Sequence, residues 1–149
     1  MQDATTNPTV RAREAIEIVC SGDVTKLEEY YSSGFVDHVN DMVHHGHDGL
    51  WKSFALYSGV FDRWHFEVEE QISEGNRIVS RWTLHGICQG RDVRLAGMTL
   101  SRVDEDGRMA EDWGFTDTFA LLRQLGVLRT VWLGLKVLTR RVKVPAGAG

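Results

Sequence analysis

Between Phe61 and Phe66 the spacing of apolar residues changes from three-and-four to alternation, and that change decides which folds are open to the chain. Upstream, Val10, Ala12, Ala15, Ile16 and Val19 repeat at helical spacing, opened by Asn7-Pro8 as cap and first-turn proline. Ser21-Gly22-Asp23 breaks this helix, and Asp23 is expected to cap a short second one over 24–31, with Leu27, Tyr30 and Tyr31 on one side. A short segment, 35–38, leads into a histidine-rich loop. A third helix starts near Asp48 and carries Leu50, Trp51, Phe54, Tyr57, Val60 and Phe61. Downstream, residues 66–72 alternate, Glu74-Gly75-Asn76 signals a hairpin, and 77–85, 92–103 and 108–117 read as three further strands. Three helices followed by an antiparallel meander of four long strands predict an α+β domain rather than a parallel nucleotide-binding sheet. Neither a GxGxxG nor a P-loop occurs. A long sheet curling over helices encloses a cone, apolar inside and open at one end, suited to a small ligand held by a few inward polar groups.

Composition enters where it narrows function. At 149 residues the chain fits one domain. Residues 1–117 hold all 21 acids and 11 Lys/Arg, a balance of −10, whereas 118–149 hold six Lys/Arg and no acid. An acidic body argues against a nucleic-acid partner. Cys20 and Cys88 form no CxxC pair, which leaves zinc-ribbon and redox readings without support. A reducing compartment is the default for them, although two distant cysteines can pair. The polar N-terminus lacks a leader pattern and no apolar run is long enough to span a bilayer, so a cytoplasmic location is expected.

Several landmarks then fall in a specific order: Asp37-His38, Asp48-Gly49 opening a helix, the strand from Glu74 to Gly86, and Arg102 to Trp113 followed by Asp117. This order resembles the SnoaL-like polyketide cyclase family, within the cone-shaped barrel superfamily of ketosteroid isomerase, limonene epoxide hydrolase and nuclear transport factor two. The resemblance covers roughly residues 10–126. It implies a cystatin-like α+β barrel, with three N-terminal helices in the concave face of a curved, mostly antiparallel sheet. The domain would be 1–126, followed by an extension over 127–149. The implied activity is aldol ring closure of an aromatic polyketide without metal or other cofactor, in a homodimer. The alternatives on this scaffold are a non-catalytic small-molecule-binding or accessory protein, or a related isomerase, hydroxylase or hydrolase.

The resemblance also implies that an aspartate near the end of the last strand acts as general acid/base, and the matching position is Asp117. Read from the residues alone, Asp117 is the cap of a helix starting at Thr118. Glu111, Trp113, Phe115 and Asp117 share one strand face. In relatives the Asp37-His38 region lines the pocket mouth, so Asp37 or His38 either touches substrate or forms a hydrogen-bonded surface pair. Arg81, Thr83 and His85 share a face. Either Arg81 and His85 meet substrate, with Arg81 near Asp117, or both lie on a solvated outer face. Thr83 stands where limonene epoxide hydrolase would carry a second aspartate, which argues against epoxide hydrolysis. Candidate substrate-binding walls are Phe35, Phe54, Trp82, Met98, Trp113 and Phe115, with Asp37 and His85 as polar contacts.

Four of the six histidines, His38, His44, His45 and His47, crowd one stretch. Zinc needs three or four tetrahedral ligands, and no downstream Cys or His pair completes such a set. His45-Gly46-His47-Asp48-Gly49 also fits the Gly-x-Asp-Gly run that precedes a helix in the family, so the stretch is expected to be a helix lead-in. Beyond Gly126, where relatives end, Leu128, Val131, Trp132, Leu135 and Leu138 continue at helical spacing with basic residues between. This extension is expected to pack on its own body or on a second subunit, ahead of a membrane or another partner, with the PAGAG ending frayed.

Overall fold

Alternation after Phe61 becomes strand, and the strands are long enough to curl. The structure, a computed structural model, describes residues 7–21 and 24–139. The expected cap at Asp23 and the chain from Arg140 through PAGAG lie outside the described residues. Helix α1 is Pro8–Ser21, α2 is Leu27–Tyr30 after a turn of 3₁₀ helix at Val24–Lys26, and α3 is Gly46–Val60. The strands are β1 (Tyr31–Val39), β2 (Met42–His45), β3 (Arg63–Glu74), β4 (Arg77–Cys88), β5 (Arg91–Val103) and β6 (Met109–Thr116). Helices α4 (Thr118–Leu125) and α5 (Val127–Thr139) close the chain.

The expected four-stranded meander is therefore corrected to six strands in the order β2-β1-β6-β5-β4-β3. The segment expected to be short is the nine-residue β1, and the expected loop after it contains β2. A tight turn joins them, with Asn40 at φ 52°, a left-handed conformation that asparagine tolerates. Strand β1 then pairs in parallel with β6, with Asp37 opposite Asp112 and His38 opposite Trp113. That pairing joins segments far apart in sequence, so local periodicity carries no sign of it.

Two packed clusters fill the concave side. Under α1, Ala12, Ala15 and Val19 meet Tyr31, Phe35 and Ile78. Under the C-terminal helices, Leu121, Leu125 and Leu133 meet Leu84, Val93 and Leu95. The extension thus docks on the body through Leu133, and Arg129 and Gln89 exchange side-chain-to-carbonyl hydrogen bonds at 2.9 and 3.0 Å. Among the described residues no helix is long and apolar enough to cross a membrane.

Candidate active site

Between the two clusters α1, α3 and the sheet leave a cavity of about 90 Å³. Ala12, Ala15, Ile16 and Val19 form the helix α1 wall, small enough to leave space beneath them. Phe54 and Tyr57 of α3 face Phe66 and Trp82 of the sheet. Trp82 can lie flat because Gly97 sits opposite it on β5, where any Cβ would overlap the indole. The indole N–H donates to Thr99 Oγ1 at 2.9 Å, so the ring's polar edge is satisfied inside an apolar wall.

Two carboxyls reach this cavity, Asp37 from β1 and Asp112 from β6. Their side chains are neighbours because the parallel register sets the two residues side by side. The same row continues through His44 on β2, opposite Asp37, and Ser101 on β5, opposite Asp112. Asp37 accepts the Ser53 hydroxyl at 2.5 Å from α3. Burial raises its pKa, opposed by that hydrogen bond and by the nearby His44 and His38. Burial pushes Asp112 up to about 7, with the Ser101 hydroxyl pulling down and the charge on Asp37 pushing up. Asp112 Oδ1 and His44 Nε2 are buried without a hydrogen-bond partner. Burial keeps the Tyr57 phenol protonated, with a hydrogen bond to Thr116 pulling the other way. Tyr31 is raised further, by burial and then by the charges of Asp112 and Asp37. Of the two acids, Asp37 ionises first: each accepts a serine hydroxyl, but only Asp37 also has the favourable influence of His44 and His38. The arrangement can hold one neutral acid and one carboxylate side by side near neutral pH.

Of the residues expected from sequence, Asp37, Phe54 and Trp82 line the cavity. Phe35 lies in the core beneath it, edge-on to Tyr31. The others occupy different places. Asp117 is exposed and caps α4, accepting the Ala120 N–H at 2.9 Å. His38 faces the outer side, stacked on Trp113 at 5.2 Å and bound to Glu111 at 2.9 Å. Arg81 pairs with Glu69 and Glu70 on the outer face, the second of its two expected places, and not with Asp117. His85 stacks on His65 and bonds Glu67 there. Met98 and Phe115 are outer and exposed, at 48% and 62%. On β4 the inward face carries Trp82, leaving Arg81 and His85 on the outer face, one of the two expected for them. On β6 the inward face carries Asp112 rather than Glu111, Trp113 and Phe115. Apolar residues normally mark the inside of a sheet, and on β6 the buried acid at 112 reverses that sign between Trp113 and Glu111.

The residues missed were Asp112, Ser53, Ser101 and His44. The available signal was parity: Phe35, Asp37 and Val39 alternate as an inward row broken by one acid. The histidine cluster splits three ways. His44 turns inward, allowed by Gly49, whose missing Cβ leaves room for it. His45 is exposed. His47 bonds the Tyr31 carbonyl at 3.0 Å. Among the described residues no group of three or more His, Cys, Asp or Glu side chains is placed to hold a metal ion.

Solved structures share this architecture at low identity. IdmH of Streptomyces antibioticus, a candidate polyketide cyclase, is 22% identical over 81% of this chain and 99% of its own, with a TM-score of 0.71. A candidate polyketide cyclase of Bacillus cereus is 20% identical over 85% of each chain, with a TM-score of 0.73. An NTF2-like protein of unknown function from Burkholderia pseudomallei is 19% identical over 80% of this chain and 98% of its own, with a TM-score of 0.71. At such identities the likeness speaks to fold alone. No match was found among curated protein sequences. The SnoaL-like polyketide cyclase model, in contrast, matches residues 9–125, a span that runs from α1 through α4 and holds both buried acids. By that match the chain belongs to the SnoaL-like polyketide cyclase family.

Proposed function

We propose that the protein closes a ring in a polyketide-type substrate by intramolecular aldol addition, with Asp37 and Asp112 as the acid–base pair. The observation that carries this reading is Asp112, a half-buried residue whose Oδ1 is buried and unpartnered beside an aromatic cavity, its pKa pushed up to about 7 by desolvation. In the reaction Asp37 removes a proton from a carbon flanked by carbonyls. The resulting carbanion attacks a ketone carbon, forming the C–C bond. The ketone oxygen takes its proton from Asp112, and return of a proton from Asp37 to Asp112 resets the pair. Carbons of that kind are already acidic, so a carboxylate is base enough. Tyr57, Phe54, Phe66 and Trp82 would hold the enolised segment in near-attack geometry. At about 90 Å³ the cavity takes the reacting end of a chain, since pockets enclosing a whole drug-sized ligand run about 300–1,000 Å³. The remainder of the substrate would sit at the mouth.

The test follows ring closure of an open-ring aromatic polyketide methyl ester by liquid chromatography and mass spectrometry. Wild type is compared with Asp112→Asn, Asp37→Asn and Asp117→Asn. Loss of general acid/base help should lower kcat about 10²–10⁴-fold in each of the first two. Asp117→Asn should keep both activity and stability, because asparagine caps a helix as well as aspartate does. Full activity in Asp112→Asn would overturn the assignment, and a large loss in Asp117→Asn alone would return the chemistry to the strand end. Binding of the ester without turnover by any form would favour a ligand carrier.

A further inference from the structure

Helix α5 is docked with the wrong side out. At about 100° per residue, Val127, Leu128, Val131, Trp132, Leu135 and Leu138 form one continuous stripe. Leu133, the residue that anchors the helix, lies on the opposite side. The stripe is 56–86% exposed while Leu133 is 7% exposed. An amphipathic helix on a globular body normally turns its apolar stripe inward; here the body takes a single leucine and leaves the stripe to solvent. The family match ends at 125, so the stripe is also an addition that the core of the fold does not require.

We infer that α5 is an interfacial helix that seats the protein on an anionic lipid surface. Charge selects the occupant. Residues 118–149 carry six cations and no acid, in a chain whose other 117 residues sum to −10. Lys136 lies over the Trp132 ring at 5.7 Å, and on α4 Arg123 lies over the exposed Phe119 at 5.5 Å. Aromatic rings paired with cations are suited to the headgroup layer, where an apolar face is buried and the charges meet lipid phosphates. The stripe of a second copy is a poor occupant. A two-fold interface that set stripe against stripe would bring Arg129 and Lys136 of two copies close together, like charge against like. Reciprocal seating of each stripe on the acidic body of a second copy is the competing occupant, and the dimer outcome of the test below detects it.

The test sediments the full-length protein with vesicles of pure phosphatidylcholine and of phosphatidylcholine containing phosphatidylglycerol, at low and high salt. Binding is expected only to the anionic vesicles and should weaken at high salt. Leu128→Glu with Leu135→Glu should reduce the partition coefficient at least tenfold, and Arg129→Glu with Lys136→Glu should reduce it several-fold. All four positions are at or near the surface, and circular dichroism confirms that the variants are folded. Brominated lipid should quench wild-type tryptophan emission more than that of Trp132→Phe. Equal binding to neutral and anionic vesicles would overturn the inference. So would failure to bind either, including the case in which the protein forms a dimer that Leu128→Glu with Leu135→Glu dissociates.

Discussion

Asp112, the proton donor of the proposed mechanism, also carries an energetic cost. Its folded-state pKa is about 7 against an ordinary value of 3.8, and each unit is worth about 1.4 kcal/mol. The folded state therefore holds the proton more tightly than the unfolded chain does. The sign follows: stability is greatest, as far as this group is concerned, below pH 4 and is lost as pH rises through 7. The full difference is about 4 kcal/mol. Asp112→Asn removes that dependence, so wild type should lose melting temperature between pH 4 and 8 relative to the variant. Parallel curves from thermal melts across that range would show that Asp112 ionises without penalty. This residue also shows how far the site was legible. The helix, the turns and the strand face shared by Trp113 and Phe115 could all be read from spacing. That the face with an acid was the buried one could not, because the usual apolar-in rule fails where a site needs a desolvated carboxyl. Asp117 was legible as a cap from its neighbours Thr118 to Leu122, and the structure places it there.

At the level of elements, β4 and β5 position the cavity wall through one close approach. Gly97 faces Trp82, and the indole occupies the space a side chain would need. Gly97→Ala should push the ring into the cavity and break its bond to Thr99. Such overpacking costs about 1–3 kcal/mol, and near-ultraviolet circular dichroism should change along with ring closure. Gly34→Ala, where nothing lies within 4 Å of the new carbon, is the matched control. An unchanged aromatic spectrum in Gly97→Ala would show that Trp82 has another rotamer free. Elements differ in how openly they announce themselves. Helices α1 and α3 and strands β3 to β6 were readable from period, with ends shifted by a few residues. Strand β1 was hidden because Ser32, Ser33 and Gly34 interrupt its alternation, and β2 because two of its four residues are histidines.

Across the whole molecule, α+β class followed from helices preceding strands, while the joining of β1 to β6 did not. Local pairs such as β3–β4 and β4–β5 meet across two-residue turns, whereas His38 and Glu111 meet across 73 positions. Loop closure of that length delays contact. Pulse-labelled hydrogen exchange during refolding should therefore protect β3 to β5 before β1, and recovery of ring closure should follow the β1 phase. Simultaneous protection of all strands would count against this order. On the ribosome the same join has a temporal meaning. Asp37 emerges early and must wait for Asp112, at about 5–20 residues per second a delay of several seconds. A nascent or prematurely ended chain thus holds a lone aspartate and no pair. Under the proposed mechanism, chemical competence would be a certificate of completed synthesis, granted only when the last strand has slid in beside the first.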